Sequence, residues 1–320
     1  MNLFRSVRAV AGADGSGAVD WTAVADAAKA STDPGSLALS ETERAGYRDD
    51  VQDARTRLQE TAGLRFELPE VVEVQNRHHW IDANVATFRR VMAPLEADAG
   101  AQAFPGAARV VNTGTMALAL SFLGRNVLGQ YDPLLLAEEP AEEHALYFVR
   151  PNVVGVAEQL NVEYPRFRRW IAFHEVAHAA EFGAAPWLSG YLEARMESGI
   201  RALQAADLDR SAFRELNAAM TAVEGYAELL MDRAFDDDYA DLRRKVDDRR
   251  GGGGPVAQAV RRLLGLGLKR QQYERGSDFF EAVADAQGVE AAGAVWDRPE
   301  ALPTDEELGD PAAWLDRVNP

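Results

Sequence analysis

Residues 174 to 178 read His-Glu-Val-Ala-His inside an apolar, helix-forming stretch, and this pattern constrains the chain more than any other. Two histidines four positions apart on a helix project from the same face, one turn above the other. At that spacing two imidazoles can bind one zinc ion, with Glu175 near the open coordination position. The chain has five histidines, so a chance match has a probability on the order of one percent. The pattern predicts a helix from Tyr164 to Phe182 that presents His174 and His178 as zinc ligands.

Composition limits the residue types that can supply the remaining ligands of such a site. The chain has 320 residues and no cysteine, which excludes disulfides, thiolate zinc ligands and cysteine nucleophiles. A chain of this length can form one large domain or two modest ones. Any zinc must therefore be bound by histidine, aspartate or glutamate.

Charge and hydropathy argue against two classes of partner. The formal net charge is −17, which disfavours binding to nucleic acid or to an anionic membrane surface. No apolar run reaches the eighteen or more residues that a membrane-spanning helix needs. The N-terminal segment lacks the continuous apolar region of a signal peptide. We therefore expect a cytoplasmic protein without nucleic-acid or membrane partners.

Helical periodicity dominates the chain and predicts a mainly α (α+β) fold with a small β-sheet. Asp20 is the expected N-cap of a helix, and Ser40 with Glu43 forms an expected capping box. Pro94 is expected to end a helix that starts at Arg77. The predicted helices are Trp21–Ala30, Ser40–Leu58, Arg77–Leu95, Thr113–Leu128, Tyr164–Phe182, Trp187–Leu203, Ser211–Ala234 and, with an interruption, Val256–Ala286.

Two strands, one loop and a division into lobes complete the prediction. Ala145–Val149 and Val153–Val156 are expected to be strands, separated by a turn at Pro151-Asn152. Asp247–Pro255, with four consecutive glycines, is expected to be a flexible loop. Thr304 to Glu307 carries a further helix-start signal. We expect a single domain with a helical N-terminal lobe (1–105) and a catalytic lobe (106–320).

The third zinc ligand must be a carboxylate, because no histidine follows His178. Glu197 follows His178 at a spacing found in one large class of aminopeptidases. Glu224 lies farther away, in Val-Glu-Gly-Tyr-Ala-Glu. We favour Glu224, because this segment resembles the Asn-Glu-Gly-Phe-Ala presentation of the zinc-binding glutamate in those aminopeptidases. Gly225 would also let another helix approach closely.

Four further residues are candidates for roles beside the zinc ligands. By resemblance to glutamate-zincins, Glu228, one turn after Glu224, is expected to orient His174 or His178. The oxyanion formed during amide hydrolysis needs a hydrogen-bond donor. Tyr226 and Tyr273 are the candidate donors, and we favour Tyr273. Glu175 is the expected general base.

Several motifs together resemble one family, the zincin-like metallopeptidases of actinobacteria, chloroflexi and haloarchaea. One branch of this family is associated with biosynthesis of coenzyme F-420. The resemblance covers almost the whole chain. It rests on Asn76–Asn84, Leu128–Asp132, Val149–Asn152, Phe167–Trp170, Pro186–Leu188, Val223–Tyr226 and Lys269–Gly276, together with the His-Glu-x-x-His segment.

The resemblance implies a zincin-like core with its active-site helix and a zinc-dependent hydrolase, but no particular substrate. We therefore expect a zinc metallopeptidase that cleaves a peptide or another amide-containing substrate. The alternative is a zinc-stabilised, catalytically inactive binding or assembly protein linked to coenzyme F-420 biosynthesis. An open coordination position facing a cleft would favour the enzyme.

The acidic, lysine-poor composition predicts dependence on salt. Lysine occurs only at positions 29, 245 and 269, and an acidic surface with few lysines suits a halophile, in which carboxylates retain water and ions. We expect the unfolding midpoint to be higher at molar salt than at low salt. Thermal unfolding at the two concentrations measures this, and equal midpoints would count against a halophilic origin.

Overall fold

The computed structural model describes residues 3–13, 17–69, 71–97, 105–132, 145–204, 211–236, 239–251 and 269–320. Their helices are α1 (Leu3–Ala11), α2 (Trp21–Ser31), α3 (Glu41–Ala62), α4 (Arg77–Ala97), α5 (Pro105–Asn126), α6 (Arg150–Leu160), α7 (Tyr164–Ala184), α8 (Leu188–Gln204), α9 (Ser211–Ala234), α10 (Tyr239–Gly251), α11 (Lys269–Gln287), α12 (Val289–Ala292) and α13 (Pro311–Val318). Short 3-10 helices span Gly293–Trp296, Pro299–Ala301 and Glu307–Gly309. Asp247–Pro255 was predicted to be a flexible loop. This is wrong for Asp247–Gly251, because its charged residues continue α10 to Gly251, and the rest of the predicted loop lies outside the described ranges. No helix in the described ranges is both long and apolar enough to cross a bilayer.

A small sheet accompanies the helices, which confirms the predicted fold class. Its strands are β1 (Val71–Gln75), β2 (Gly129–Asp132) and β3 (Ala145–Val149), in the order β1-β3-β2. β3 pairs parallel with β1 and antiparallel with β2. As the central strand, β3 has four of its five residues buried, which explains its continuous apolar sequence.

Two prolines lie inside helices, although Pro151 was expected in a turn between strands and Pro94 at the end of a helix. Val153–Val156 was predicted to be a strand and belongs to α6, so that prediction is wrong. Pro151 is in the first turn of α6, where a missing backbone N–H costs little, and the buried Val153, Val156 and Ala157 follow helical spacing. Pro94 does not end α4, which continues to Ala97.

Contacts group the described chain into two compact units, residues 1–38 with 71–156 and residues 39–70 with 157–320. The first unit contains the sheet and a core in which Val24, Ala27, Ile81 and Leu120 are fully buried. The second contains the His-Glu-x-x-His segment. This grouping differs from the expected lobe boundary at residue 105, because α3 packs against α7 in the second unit.

The capping signals read from the sequence form as hydrogen bonds. Asp20 Oδ1 accepts from the Ala23 N–H at 2.9 Å, and Ser40 Oγ accepts from the Glu43 N–H at 3.1 Å. Thr304 and Glu307 form a reciprocal pair, in which each side chain accepts from the backbone N–H of the other residue. Each bond satisfies a donor that the first turn of a helix leaves without an intrahelical partner.

Buried ion pairing joins α3 to α7 within the second unit. Arg168 on α7 donates to Asp50 on α3 at 2.6 Å, and both residues are buried. The guanidinium also lies over the ring of Tyr47 at 5.2 Å. A Cβ atom on Gly46 would come within 2.3 Å of this guanidinium, so a glycine at that position leaves room for the arginine.

The Glu307–Arg317 pair generates a pH prediction. Hydrogen bonds from Arg317 lower the pKa of Glu307 below its ordinary value of 4.5. A lowered folded-state pKa means that the pair stabilises the fold above about pH 4.5, and that this stabilisation is lost as the pH falls through the folded pKa. Glu307→Gln should lower the free energy of unfolding by about 0.5–1 kcal/mol at pH 7, because Arg317 is partly exposed.

Chemical unfolding of wild type and variant at pH 7 and pH 3 measures this difference. The destabilisation should shrink at pH 3. Glu306→Gln, at an exposed neighbouring position, is the matched control and should leave the stability unchanged at both pH values. A Glu307→Gln effect of equal size at pH 7 and pH 3 would contradict the assignment.

Candidate metal centre

The predicted His-Glu-x-x-His helix forms as α7, and most of its surface is buried. Phe173, Val176, Ala177 and Ala180 have no exposed surface. His174 and His178 lie on a different face and are partly exposed. Their ring centroids are 4.7 Å apart, with the planes at 76°. The helical spacing therefore places two imidazoles side by side where an ion can reach them.

The His174 ring is held by aromatic stacking. It lies parallel to the Trp170 ring, one turn earlier on α7, with centroids 6.0 Å apart and planes within 2°. Trp170 is buried and stacks in turn on Phe167 at 5.9 Å. This row of rings along one helix restricts the direction in which the His174 imidazole points.

Glu224 on α9 completes a three-residue cluster with the two histidines. One ligand atom from each of the three side chains lies within 4.8 Å of the others. His178 Nε2 and Glu224 Oε2 are 4.0 Å apart. Two ligands about 2.0–2.1 Å from a tetrahedral zinc ion are about 3.4 Å apart. Movements on the order of an ångström would therefore bring the three atoms to zinc distance, and two imidazoles with one carboxylate form a suitable donor set.

Glu197, the alternative third ligand, lies on α8 outside this cluster, and its side chain is exposed. Glu224, by contrast, is 4% exposed and faces α7. The geometry therefore favours Glu224 over Glu197 as the third ligand.

Glu181 contacts His178 directly, and sequence reasoning missed it. His178 Nδ1 lies 2.9 Å from Glu181 Oε2. Glu181 follows His178 by one helical turn and has no exposed surface. The available signal was a charged residue inside the apolar stretch Ala177–Ala185, three positions after a candidate ligand.

Glu228, which was expected to orient a ligand histidine, has contacts to α10. Its Oε2 accepts from the Tyr239 hydroxyl at 2.6 Å and lies 3.3 Å from Arg243 Nε. Glu228 is 2% exposed, so this tyrosine and this arginine compensate a buried carboxylate. For His178, the contacting carboxylate is Glu181.

The electrostatic field of the cluster favours a cation. Burial alone would lower the pKa of His178. The nearby carboxylates of Glu181, Glu224 and Glu175 outweigh this effect and raise the pKa to about 9. Burial raises the pKa of Glu181 to about 7, against the opposing effect of His178. A negative region of this kind stabilises a proton or a metal ion at the same place.

Glu175, the candidate base, is 6% exposed and follows the first histidine of the cluster. Its charge contributes to the raised pKa of His178, so its carboxylate is electrostatically coupled to the metal-ligand face. The role of Glu175 as general base stays a prediction.

Of the two candidate oxyanion donors, Tyr226 lies in the core and the side chain of Tyr273 is not described. Tyr226 is fully buried, and its ring contacts Phe280 at 5.3 Å and Trp296 at 5.5 Å. Burial and the charge of Glu181 raise its pKa, and its packing makes it part of the core. Tyr273 lies in α11, but its side chain falls outside the described part of the chain, and its role stays a prediction.

The segment that carries Glu224 is fixed by a glycine contact between α9 and α11. A Cβ atom on Gly225 would lie 2.4 Å from Gly276 Cα, and one on Gly276 would lie 2.4 Å from the Thr221 carbonyl oxygen. Real Cβ atoms do not approach so closely. The expectation that Gly225 allows another helix to approach is therefore confirmed, and that helix is α11.

Comparison with known proteins identifies a family and a similar solved structure. The chain belongs to the zincin-like metallopeptidase family, whose sequence profile matches residues 19–209 and 199–315. No curated protein matches the chain. A crystal structure from Chloroflexus aurantiacus, described as a "putative hydrolase with a novel fold", is similar over 100% of this chain and 99% of its own, with 27% identity and a TM-score of 0.73.

The glycine contact generates a prediction about Glu224. Gly225→Ala should force α9 and α11 apart and lower the free energy of unfolding by about 1–3 kcal/mol. It should also weaken zinc binding, because Glu224 is the adjacent residue. Chemical unfolding and a zinc titration measure the two effects.

Gly190→Ala is the matched control. Nothing lies within 4 Å of a Cβ atom at this position near the start of α8, so the change should be neutral or stabilising by about 0.5–1 kcal/mol. A Gly225→Ala variant as stable as Gly190→Ala would show that α9 and α11 are not in such close contact.

Proposed function

We propose that the chain is a zinc-dependent hydrolase, and specifically a metallopeptidase of the glutamate-zincin type. In this proposal His174, His178 and Glu224 bind the ion. The observation that carries the proposal is the approach of three donor atoms, from two helices, to within 4.8 Å of one another. Membership of a zincin-like metallopeptidase family supports it, as does similarity to a protein described as a hydrolase.

A zinc ion in this cluster would supply a Lewis acid that lowers the pKa of a bound water to about 7 and polarises the substrate carbonyl. Glu175 would accept a proton from the attacking water, while the water oxygen forms a bond to the carbonyl carbon. The same carboxyl group would then give that proton to the amide nitrogen as the carbon–nitrogen bond breaks. Glu175 thus acts first as a base and then as an acid.

The other residues of the site would restrict the positions of the ligands. Stacking on Trp170 fixes the ring of His174, and the helix contact at Gly225 fixes the backbone beside Glu224. Restricting ligands in this way reduces the reorganisation that binding would otherwise require. The proposed substrate is a peptide or another amide, since the chemistry of the site distinguishes the bond and not the groups on either side of it.

Glu175→Gln tests the proposed base. The variant should bind zinc at the wild-type stoichiometry, because Glu175 is not a ligand, and it should lose about 10²–10⁴-fold in hydrolysis. Metal content after purification measures the first quantity, and cleavage of a broad peptide library followed by mass spectrometry measures the second.

Ligand substitutions provide the comparison. His178→Ala and Glu224→Ala should lose zinc, whereas Glu197→Gln, at an exposed position outside the cluster, should retain both zinc and activity. A zinc-loaded wild type without activity on any peptide or amide would argue against the hydrolase. Wild-type activity in Glu175→Gln would exclude Glu175 as the base.

A further inference from the structure

We propose that Glu181 is the positioning residue for His178: it holds the imidazole so that Nδ1 faces Glu181 and Nε2 faces the metal position beside Glu224. This inference rests on the proposed zinc site and goes beyond it, since neither the His-Glu-x-x-His pattern nor the ligand set includes Glu181. It assigns a specific function to a fully buried carboxylate.

The geometry places the two ring nitrogens of His178 against different carboxylates. Nδ1 lies 2.9 Å from Glu181 Oε2, which is a hydrogen-bond distance. Nε2 lies 4.0 Å from Glu224 Oε2, which is too long for a hydrogen bond and somewhat longer than the distance of about 3.4 Å between two ligands of one tetrahedral zinc ion. One carboxylate therefore contacts the ring, and the other shares its proposed metal.

A hydrogen bond at Nδ1 determines the tautomer of a neutral imidazole. When the Nδ1–H donates to Glu181, the lone pair is on Nε2 and points to the proposed metal position. Without this acceptor, the proton could occupy either nitrogen and the ring could rotate. Glu181 would therefore select both the tautomer and the ring direction that metal binding requires.

The burial of Glu181 argues against an incidental contact between its carboxylate and His178. Glu181 has no exposed surface, and its neighbours Ala180 and Phe182 belong to the core. A buried carboxylate is strongly destabilising unless it is hydrogen-bonded or paired. Glu181 Oε2 contacts the His178 ring, and the Ala227 backbone also donates a hydrogen bond to this carboxylate. The side chain that helps to offset the cost of burial is therefore a proposed metal ligand.

Glu228 offers a direct comparison, because resemblance to glutamate-zincins had predicted it for the same role. It is equally well buried, but its carboxylate contacts Tyr239 and Arg243. The two glutamates are thus matched in residue type and burial and differ in the partners that they contact. Parallel substitution of the two residues separates a role in positioning His178 from a general effect of removing a buried charge.

Zinc affinity measured by competition with a chromogenic chelator, on the full chain, tests the proposal. Glu181→Ala should weaken zinc binding about 10–100-fold, the usual effect of losing such a partner. Glu181→Gln should cause a smaller loss, because its amide oxygen can still accept from Nδ1–H. Glu228→Gln should leave zinc affinity at the wild-type level.

A second measurement reports on the ring itself. Long-range proton–nitrogen NMR spectra of histidine-labelled protein distinguish the two tautomers, and with five histidines in the chain the His178 signals can be assigned from His178→Ala. The metal-free wild type should show Nδ1–H at His178, whether as the Nδ1–H tautomer or doubly protonated, and Glu181→Ala should change the Nδ1 shift. A move of the proton from Nδ1 to Nε2 in Glu181→Ala would show that Glu181 determines which nitrogen is protonated, whereas a retained Nδ1–H would show that it does not.

The outcomes separate the two proposals. If the wild type binds no zinc, the zinc site fails, and the NMR measurement on metal-free protein still decides the role of Glu181. Wild-type zinc affinity and an unchanged Nδ1 shift in Glu181→Ala would overturn the inference. A loss of affinity in Glu228→Gln with none in Glu181→Ala would overturn it also. Should Glu181→Ala fail to fold, the near-isosteric Glu181→Gln provides both readouts.

Discussion

The contact between α9 and α11 at Gly225 and Gly276 is the constraint on which the candidate site depends most. Without side chains at these two positions, the helices approach to a distance that no Cβ atom would allow. That approach fixes the segment of α9 in which Glu224 lies, opposite the two histidines of α7. The candidate site of two imidazoles and one carboxylate therefore depends on helix packing at the residue beside Glu224.

The buried carboxylates of Glu228 and Glu181 are compensated by different partners. Glu228 contacts a tyrosine and an arginine, and Glu181 contacts a histidine. The carboxylates of Glu181, Glu224 and Glu175 outweigh the effect of burial and raise the pKa of His178, so the electrostatic field at its ring favours positive charge. The same carboxylates would favour a divalent cation at this place.

The sequence predicted what depends on local periodicity and left open what depends on contact between helices. α7 and α9 follow from apolar spacing, and Ser211–Ala234 agrees with the structure at both ends. α6 was misassigned, because Pro151 was read as part of a turn although a proline is equally suited to the first turn of a helix. Resemblance to an aminopeptidase segment favoured Glu224 over Glu197, and the structure adds the position of α9 relative to α7. No periodicity in the sequence contains that information.

The two histidines of the cluster are held by different interactions. Only one of these, the contact between Glu181 and His178, depends on burial that the sequence does not reveal. His174 is fixed by a ring stack with Trp170, and the stacked residues follow one another along α7. His178 is fixed by a buried hydrogen bond. A glutamate three positions after a histidine is ordinarily part of a solvated helix face, and its role here arises because the fold excludes water from it. A glutamate–histidine pair at this spacing is common on helices. It is the burial of Glu181 that makes its hydrogen bond to His178 able to direct Nε2 toward the proposed metal.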